Sequence, residues 1–247
     1  MGAYNYKVTE YAHGTKISHY ARPIVTEHKR PLRDKTQNTQ RTPEQIKHSI
    51  QSSLNRTKNA IYDLAKSNNW EWFVTFTFDP KKYDSTNYDT VTGLLTKFID
   101  NVRHNKAHDL VYLIVPELHS DGEKFHFHGF LIDTGNMAFH PSGKLDAEGN
   151  DIYNLADWKY GFSTASAVRD TVRASAYITK YITKELVQHT KYKKRYYASR
   201  NIKRPDVTYL NREQELEQVL ATYNPDYVKT LNVPNAYNRI THMEIDD

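Results

Sequence analysis

The chain has 247 residues and a formal net charge of +5, and its mean hydropathy of −0.80 is low for a fully compact protein. This length can bury one domain core, so we expect polar extensions or a large solvated binding surface around it. The absence of cysteine excludes disulfides, thiolate zinc sites and a cysteine nucleophile. No apolar run approaches the roughly 18 residues of a membrane span, and no signal peptide opens the chain, so we expect a soluble intracellular protein without a membrane partner.

Residues 1–41 are polar, become basic in their second half and show no sustained period of a helix or a strand. We predict a polar and basic N-terminal arm here, with a short strand at Tyr4–Thr9. Thr42, Pro43 and Gln45 then supply an N-cap, a proline at the first helical position and a capping-box partner. A helix is therefore predicted from residue 42 to about Ser67.

The next segments alternate between strand and helix patterns. Residues 70–78 are rich in aromatic and β-branched side chains and end before Asp79-Pro80, which predicts a strand whose polar face carries Thr75 and Thr77. Residues 87–107 have helical apolar spacing. The remaining predictions are strands at 110–118 and 124–132, a long loop or an excursion from the sheet at 133–157, and a further strand at 158–168.

Phe125, His126, Phe127 and His128 form the most informative stretch of the chain. Side chains alternate along a strand, so the two imidazoles share one face and can share a metal ion, while the two phenylalanines share the other. A histidine on a strand also has a purely structural interpretation, which this pattern alone leaves open.

The hairpin that leads into this stretch adds an acidic residue to the same face. Asp121-Gly122 predicts a two-residue type I′ turn, and counting back from it places Glu117 opposite His126, with Cβ atoms roughly 5 Å apart. The candidate metal ligands are therefore Glu117, His126 and His128. The same register puts Pro116 where an N–H should join the ladder, so we expect a bulge or a strand end there.

A second constellation lies on the helix predicted over residues 169–188. Its apolar stripe leaves Tyr177, Lys180, Tyr181 and Lys184 on the opposite side, within one helical turn of each other. A phenol with a pKa of about 10 is a poor nucleophile unless the phosphate that it attacks is polarised and its charge is neutralised, as a metal ion and a lysine can do. The alternative is an ordinary solvated face. We expect Tyr181, followed by Lys184, to be at least as important as Tyr177, followed by Lys180.

From His189 to Arg204 the chain has seven Lys or Arg residues, no acid and three interleaved tyrosines. Basic residues neutralise phosphates and aromatic rings stack on unpaired bases, which favours single-stranded nucleic acid as a partner. A solvated basic tail is the alternative. We predict a basic C-terminal extension over residues 189–247, with DNA-binding candidates Lys191, Lys193, Lys194, Arg195 and Arg200.

Three stretches resemble, in order, the motifs of the HUH endonucleases that initiate rolling-circle replication of small phages and plasmids: Phe73–Phe78, His126–His128 and Tyr177–Lys184. The doubled Tyr-x-x-Lys is similar to the two-tyrosine branch of that family. The resemblance covers about residues 70–186, and we assign residues 42–188 to such a domain. It implies an α+β fold with a central antiparallel β-sheet, RRM-like or palm-like, flanked by helices. It also implies Mg²⁺ or Mn²⁺, Glu117 as third ligand, and nicking with a covalent 5′-phosphotyrosine.

The partners implied by this resemblance are single-stranded origin DNA and, in the cytoplasm of a bacterial host, a host helicase and DNA polymerase. A transposase or a relaxase would use the same chemistry and stays open. A non-catalytic module that binds single-stranded nucleic acid also stays open, and it predicts aromatic side chains on the face of the histidines. The motif strands are expected to place them on the opposite face.

Overall fold

The computed structural model describes residues 2–25, 42–213, 215–233 and 237–246. The chain divides into two compact units, of which one spans Thr42–Lys203 and the other combines the two ends of the chain. In chain order the elements are β1 (Ala3–Glu10), β2 (Thr15–Val25), α1 (Pro43–Lys66), β3 (Trp72–Phe76), α2 (Tyr88–Asn105), β4 (Val111–Leu118), β5 (Phe125–Ile132), β6 (Phe139–Leu145), β7 (Asp151–Leu155), β8 (Ser163–Ala167), α3 (Thr171–Ile178), α4 (Lys184–His189), β9 (Tyr197–Ala198), β10 (Asp206–Leu210), α5 (Leu216–Tyr223), β11 (Tyr227–Val233) and β12 (Asn238–Ile245).

The middle unit is built on a seven-stranded antiparallel sheet in the order β6-β7-β8-β3-β5-β4-β9. Helix α2 covers one face, where Phe98 packs on Phe76 with ring centroids 5.3 Å apart. On the other face Trp70 stacks on Phe130 at 5.2 Å, and its indole N–H donates to the carbonyl of Ala65 at the end of α1. The predicted α+β class, with an antiparallel sheet flanked by helices, is confirmed.

Helix α1 begins as its sequence predicts. The Thr42 hydroxyl accepts from the Gln45 amide N–H at 3.3 Å, and the Gln45 side chain accepts from the Thr42 N–H at 3.1 Å, which completes the capping box. Of the two alternatives predicted for residues 133–157, the long loop is wrong, because β6 and β7 form a hairpin there that extends the sheet. Strand β6 is mostly exposed and its register shifts between Pro141 and Lys144, so its sequence shows no alternation.

The terminal unit contains a five-stranded sheet in the order β10-β1-β2-β12-β11. Helix α5 packs on it through Val219, which is buried with Tyr6, Ile17 and Met243. The sequence analysis treats the two ends as a separate arm and extension, and the structure differs because β1 pairs with β10, about 200 residues away along the chain. The second half of the predicted arm, residues 26–41, lies outside the described residues.

The predicted C-terminal extension is divided in the structure, since residues 189–203 belong to the middle unit and β9 pairs there with β4. Within the described parts of the chain, none of the helices combines the length and the apolar character that crossing a membrane requires.

Candidate active site

Strands β4 and β5 place the predicted metal ligands on one face of the sheet. Glu117 is the cross-strand partner of His126, and Val115 is the partner of His128, so the predicted register is confirmed. The turn itself differs from the prediction. His119 N–H donates to the Lys124 carbonyl at 2.8 Å, which closes a four-residue loop. The register survives because this loop is centred on the same two residues as the predicted one.

The prediction of a type I′ turn is wrong. That turn requires a positive φ at both central residues, and of Asp121 and Gly122 only Gly122 has one, at 75°. The Asp121 carboxylate instead accepts the backbone N–H groups of Glu123 and Lys124, at 2.9 and 3.1 Å. These two donors hold the pKa of Asp121 at about 2. The loop is therefore organised by an acidic side chain that caps backbone donors, a known use of aspartate in turns.

Pro116 does not interrupt β4, so the expected bulge or strand end is wrong. Cross-strand pairs alternate between hydrogen-bonded and non-hydrogen-bonded pairs. Because His119 and Lys124 form a hydrogen-bonded pair, Pro116 and Phe127 fall in a non-hydrogen-bonded pair. The proline nitrogen faces the neighbouring edge, where β9 pairs only with Leu113 and Ile114.

His128 is held from both ring nitrogens. Its Nε2 lies 2.7 Å from Glu117 Oε2, and its Nδ1 lies 3.0 Å from the hydroxyl oxygen of Thr75 on β3. The His126 ring lies 4.9 Å from the ring of His119 at the edge of the hairpin. Thr75 is a residue of this face that was not predicted as part of the site, although the polar face predicted for its strand was a signal for it. His119 shares the parity of Glu117 and is the alternative third ligand, one pair nearer the turn and across from Lys124.

Electrostatics distinguish these groups. The hydrogen bond from His128 lowers the pKa of Glu117, which therefore carries its charge over a wider pH range. Burial, and secondarily the neighbouring His119 and His128, lowers the pKa of His126 and favours its neutral form. A neutral imidazole and an ionised carboxylate are the protonation states in which these side chains bind metal ions.

Two imidazoles and one carboxylate on a shared face are a donor set suited to a divalent cation such as Mn²⁺ or Mg²⁺. As the described residues stand, no three His, Asp or Glu side chains converge as metal ligands. Glu117 and His128 are hydrogen-bonded to each other through two of the atoms that a cation would take. The chemistry of Glu117, His126 and His128 fits a divalent cation, which would take the place of the proton shared by Glu117 and His128.

The segment with the two tyrosines is not the single helix predicted over residues 169–188. Helix α3 ends at Ile178, a 3₁₀ turn spans Thr179–Tyr181, and Ile182 is extended. The Thr183 hydroxyl then caps α4 by accepting from the Leu186 N–H at 3.2 Å. Each residue advances about 120° around the axis of a 3₁₀ helix and about 100° around that of an α-helix. Over the three residues Thr179–Tyr181 the difference adds up to about 60°, so Tyr181 is rotated by that angle beyond the position expected in a continuous α-helix.

This rotation gives the two phenols different environments. Tyr177 is 46% exposed, whereas Tyr181 is 7% exposed and belongs to the core, so the prediction that both tyrosines lie off the buried face is wrong for Tyr181. The Tyr181 ring stacks face to face on the His128 ring, with centroids 3.7 Å apart. The ring centroids of the two tyrosines are 5.6 Å apart. Both phenols thus adjoin the face that carries His128.

The pKa values of the two phenols shift in opposite directions. Lys180 lies 3.4 Å from the centroid of the Tyr177 ring, and its hydrogen bond, together with one from Tyr181, lowers the pKa of Tyr177. Burial, followed by the hydrogen bond to Tyr177, raises the pKa of Tyr181. Lys184 is the exposed first residue of α4, separated from both phenols by the break in the helix. The lysine that assists a phenol in this structure is therefore Lys180.

Aromatic side chains also occur on the histidine face, contrary to the prediction. Phe73 packs against His128 at 6.1 Å and against Tyr177 at 5.8 Å, measured between ring centroids. Phe130 is fully buried beneath Trp70. Both rings contribute to packing, so they do not form an open platform for bases.

The basic segment 189–203 is partly used by the fold. Lys193 Nζ forms an ion pair with Asp89 at 2.8 Å. The Arg195 guanidinium donates to the hydroxyl oxygens of Ser53 and Thr190 and to the carbonyl oxygen of Val187, at 2.6, 3.1 and 3.2 Å. The remaining predicted DNA-binding residues are exposed, namely Lys191, Lys194 and Arg200.

A family model matches the stretch of the chain that carries these motifs. Residues 71–186 match the family model of Replication-associated protein ORF2/G2P. The matched stretch is a little under half of the chain and includes the predicted ligands, both tyrosines and both lysines. The match supports a replication-associated protein of the initiator type. No curated protein and no solved structure matches the chain significantly.

Proposed function

We propose that the chain initiates rolling-circle replication as a two-tyrosine HUH endonuclease, by nicking single-stranded origin DNA and later rejoining it. The observation that carries this proposal is the stacking of the Tyr181 ring on the His128 ring. His128 is hydrogen-bonded to Glu117, and Tyr177 and Lys180 lie beside Tyr181. An exposed phenol of lowered pKa thus lies next to an imidazole and carboxylate donor set. The match to a family of replication-associated proteins supports a role in replication initiation.

The proposed reaction is transfer of a phosphodiester to a phenol. The Tyr177 oxygen attacks the phosphorus atom, the bond from phosphorus to the 3′ oxygen breaks, and the DNA 5′ phosphate remains on tyrosine. The phenol loses its proton and the departing 3′ oxygen gains one, so no oxidant or external energy source is needed. Lys180 and the Tyr181 hydroxyl favour the phenolate form of Tyr177, because both hydrogen bonds lower its pKa.

Glu117, His126 and His128 would hold Mg²⁺ or Mn²⁺ in this mechanism. Such a cation supplies Lewis-acid polarisation of a non-bridging phosphate oxygen and stabilisation of the departing 3′ oxygen. Thr75 would support this site without binding the cation, because its hydrogen bond to His128 Nδ1 fixes the orientation of the imidazole ring. The stacked Tyr181 ring covers one side of the same imidazole.

Two tyrosines solve a problem of rolling-circle replication. After the first cut one phenol holds the 5′ end, so ending a round requires a second nucleophile while that bond remains. Tyr177 and Tyr181 are close enough to act at one phosphate-binding position in turn. Unwinding and synthesis would then fall to a helicase and a DNA polymerase of the bacterial host, in its cytoplasm.

Other functions predict different results. A transposase or a relaxase would share the cleavage step, and the genetic context of the chain distinguishes it. A non-catalytic single-strand-binding module predicts exposed aromatic rings beside the histidines. Phe130 is buried and Phe73 packs on Tyr177, so this face offers Tyr177 as its exposed ring.

The proposal is tested by incubating the full chain with a randomised pool of single-stranded DNA labelled at the 3′ end. Cleavage is expected with Mn²⁺ and not with EDTA. The double variant His126→Ala with His128→Ala should lose cleavage and retain DNA binding. His104→Ala, an exposed histidine on α2, is the matched control and should cleave normally. Full cleavage by the double variant, or in EDTA, would remove the metal from the mechanism.

A further inference from the structure

The five-stranded sheet of the terminal unit has two dissimilar faces. On one, Tyr6, Ile17 and Met243 are buried under α5. The register of the strands places the intervening residues on the other face, where Lys7 pairs with Tyr209 and Ser18 pairs with His242. The outer face is therefore defined by strand residues that alternate with the buried set.

Tyrosines dominate one half of this outer face. Tyr4 packs on Tyr20 with ring centroids 5.5 Å apart and on Tyr209 at 4.7 Å, so the three rings form one continuous cluster. Within this cluster Tyr209 is 48% exposed. Tyr227 on the edge strand β11 is 52% exposed and lies outside the cluster, on the same face, where it pairs with Glu244. Large aromatic rings that remain exposed in a mutual cluster are available to stack on planar ligands.

The other half of the face is basic. His242 lies among Lys7, Lys16 and Lys229, and burial together with these charges lowers its pKa. Glu244, paired with Lys16 at 3.9 Å, is the one acid among the described strand residues of this face. The strands thus present three lysines against one carboxylate, beside an aromatic cluster.

We propose that this face, formed by Tyr4, Tyr20, Tyr209 and Tyr227 with Lys7 and Lys229, is a second binding site for single-stranded DNA. Tyrosine rings stack on unpaired bases and lysines contact the phosphates between them, whereas bases in a duplex are already stacked and cannot reach the rings. The charge of the face complements a polyanion. The choice of DNA rests on the proposed function, while the stacking argument stands without it.

This site is distinct from the tyrosines of the candidate active site, which lie in the middle unit. It assigns a role to the two ends of the chain, which lie outside the matched residues 71–186. In this proposal the terminal unit holds a strand and the middle unit cuts it.

The test measures binding of fluorescein-labelled oligothymidylate, about 15 nucleotides long, to the full chain by fluorescence anisotropy. Losing one stacked base costs about 5-fold or more in affinity, so Tyr20→Leu with Tyr209→Leu should weaken binding at least tenfold. Tyr20→Phe with Tyr209→Phe keeps the rings and should bind normally. Tyr223→Leu is the matched control, since Tyr223 is equally exposed at 48% and adjoins the cavity on the opposite side of the sheet.

Photocrosslinking of the unmodified chain to a 5-iodouracil oligonucleotide keeps the proposal testable even if the leucine variant fails to fold. Crosslinks are expected at Tyr4, Tyr20, Tyr209 or Tyr227. Unchanged affinity in a folded leucine variant, or crosslinks confined to residues 42–203, would overturn the proposal. Cleavage is measured separately. If the chain binds DNA through these tyrosines but does not cleave it, the proposed function is contradicted and the binding site is supported.

Discussion

The two tyrosines differ more than their repeated Tyr-x-x-Lys sequence indicates. Tyr177 is exposed, is assisted by Lys180 and has a lowered pKa, whereas Tyr181 is buried against His128 and has a raised pKa. The sequence-based expectation is that Tyr181 is at least as important as Tyr177; from this asymmetry we instead expect Tyr177 to make the first cut. In the proposed mechanism, Tyr181 would leave its stack on His128, or receive the phosphate there, before acting as a nucleophile.

Single substitutions test this order of action. Tyr177→Phe should slow the first cleavage of a short oligonucleotide at least tenfold, because the exposed phenol of lowered pKa is removed. Tyr181→Phe should keep most of the first cleavage and lose rejoining, and the double variant should do neither. The measurement is single-turnover cleavage and circle release on denaturing gels. Equal first-cleavage rates for the two single variants would show that the asymmetry has no kinetic role.

Lys180 provides a pH-dependent test. Its hydrogen bond lowers the pKa of Tyr177, and the phenolate is the reactive form. Lys180→Gln should therefore raise that pKa, reduce the phenolate fraction at neutral pH, and move the rise of the cleavage rate to higher pH. Lys184→Gln is the control, because Lys184 lies on a separate helix. A rate profile for Lys180→Gln that falls uniformly without shifting would contradict this role.

At the scale of elements, the β4–β5 hairpin shows what the sequence can predict. Alternation placed His126 and His128 on one face, and the Asp-Gly pair centred the loop, so Glu117 was placed correctly opposite His126. The loop was two residues longer than predicted, which exchanged hydrogen-bonded and non-hydrogen-bonded pairs and accommodated Pro116. Sequence patterns report the centre of a hairpin better than the length of its loop.

The 3₁₀ turn before α4 shows what the sequence does not reveal. Residues 177–184 have good helical spacing, and the local signal of a break is Thr183, an N-cap residue directly after the extended Ile182. The break follows from tertiary packing, because Tyr181 gains burial and a stack on His128. Local propensity is a weak prior when such contacts are available.

Arg195 illustrates a basic residue that serves the fold. Its guanidinium joins Ser53 of α1 to Thr190 and to the Val187 carbonyl of α4. Arg195→Met should lower the free energy of unfolding by about 2 kcal/mol, since hydrogen bonds from charged groups are lost in a partly buried site. Lys194→Met, which changes an exposed neighbour, should have little effect on stability. Urea unfolding measures both, and equal stability of the two variants would contradict the structural role.

At the scale of the whole molecule, the prediction of separate terminal extensions failed for a physical reason. The strands of the terminal sheet pair across about 200 residues, and a local pattern that indicates a strand, as at Tyr4–Thr9, does not identify a partner so far away in the sequence. The middle unit was predicted better because its hairpin and helices carry local signals.

Binding of the whole chain to DNA should depend strongly on salt. Neutralising the exposed Lys191, Lys194 and Arg200 should reduce affinity and flatten the slope of log K against log salt, by about 0.7 for each lost phosphate contact. Neutralising the exposed Lys81, Lys82 and Lys97 is the matched control. Equal slopes for the two triple variants would assign residues 191–200 no particular role in DNA binding.

The central claim is that a phenol beside His128 becomes covalently attached to DNA. The most direct measurement is peptide mapping of the adduct formed by the full chain with 3′-labelled single-stranded DNA and Mn²⁺, after denaturation. We expect a 5′-phosphate ester on Tyr177 in the first turnover, and on Tyr181 once Tyr177 is occupied or replaced by phenylalanine. Cleavage without an adduct, or an adduct on a tyrosine outside this pair, would contradict the account.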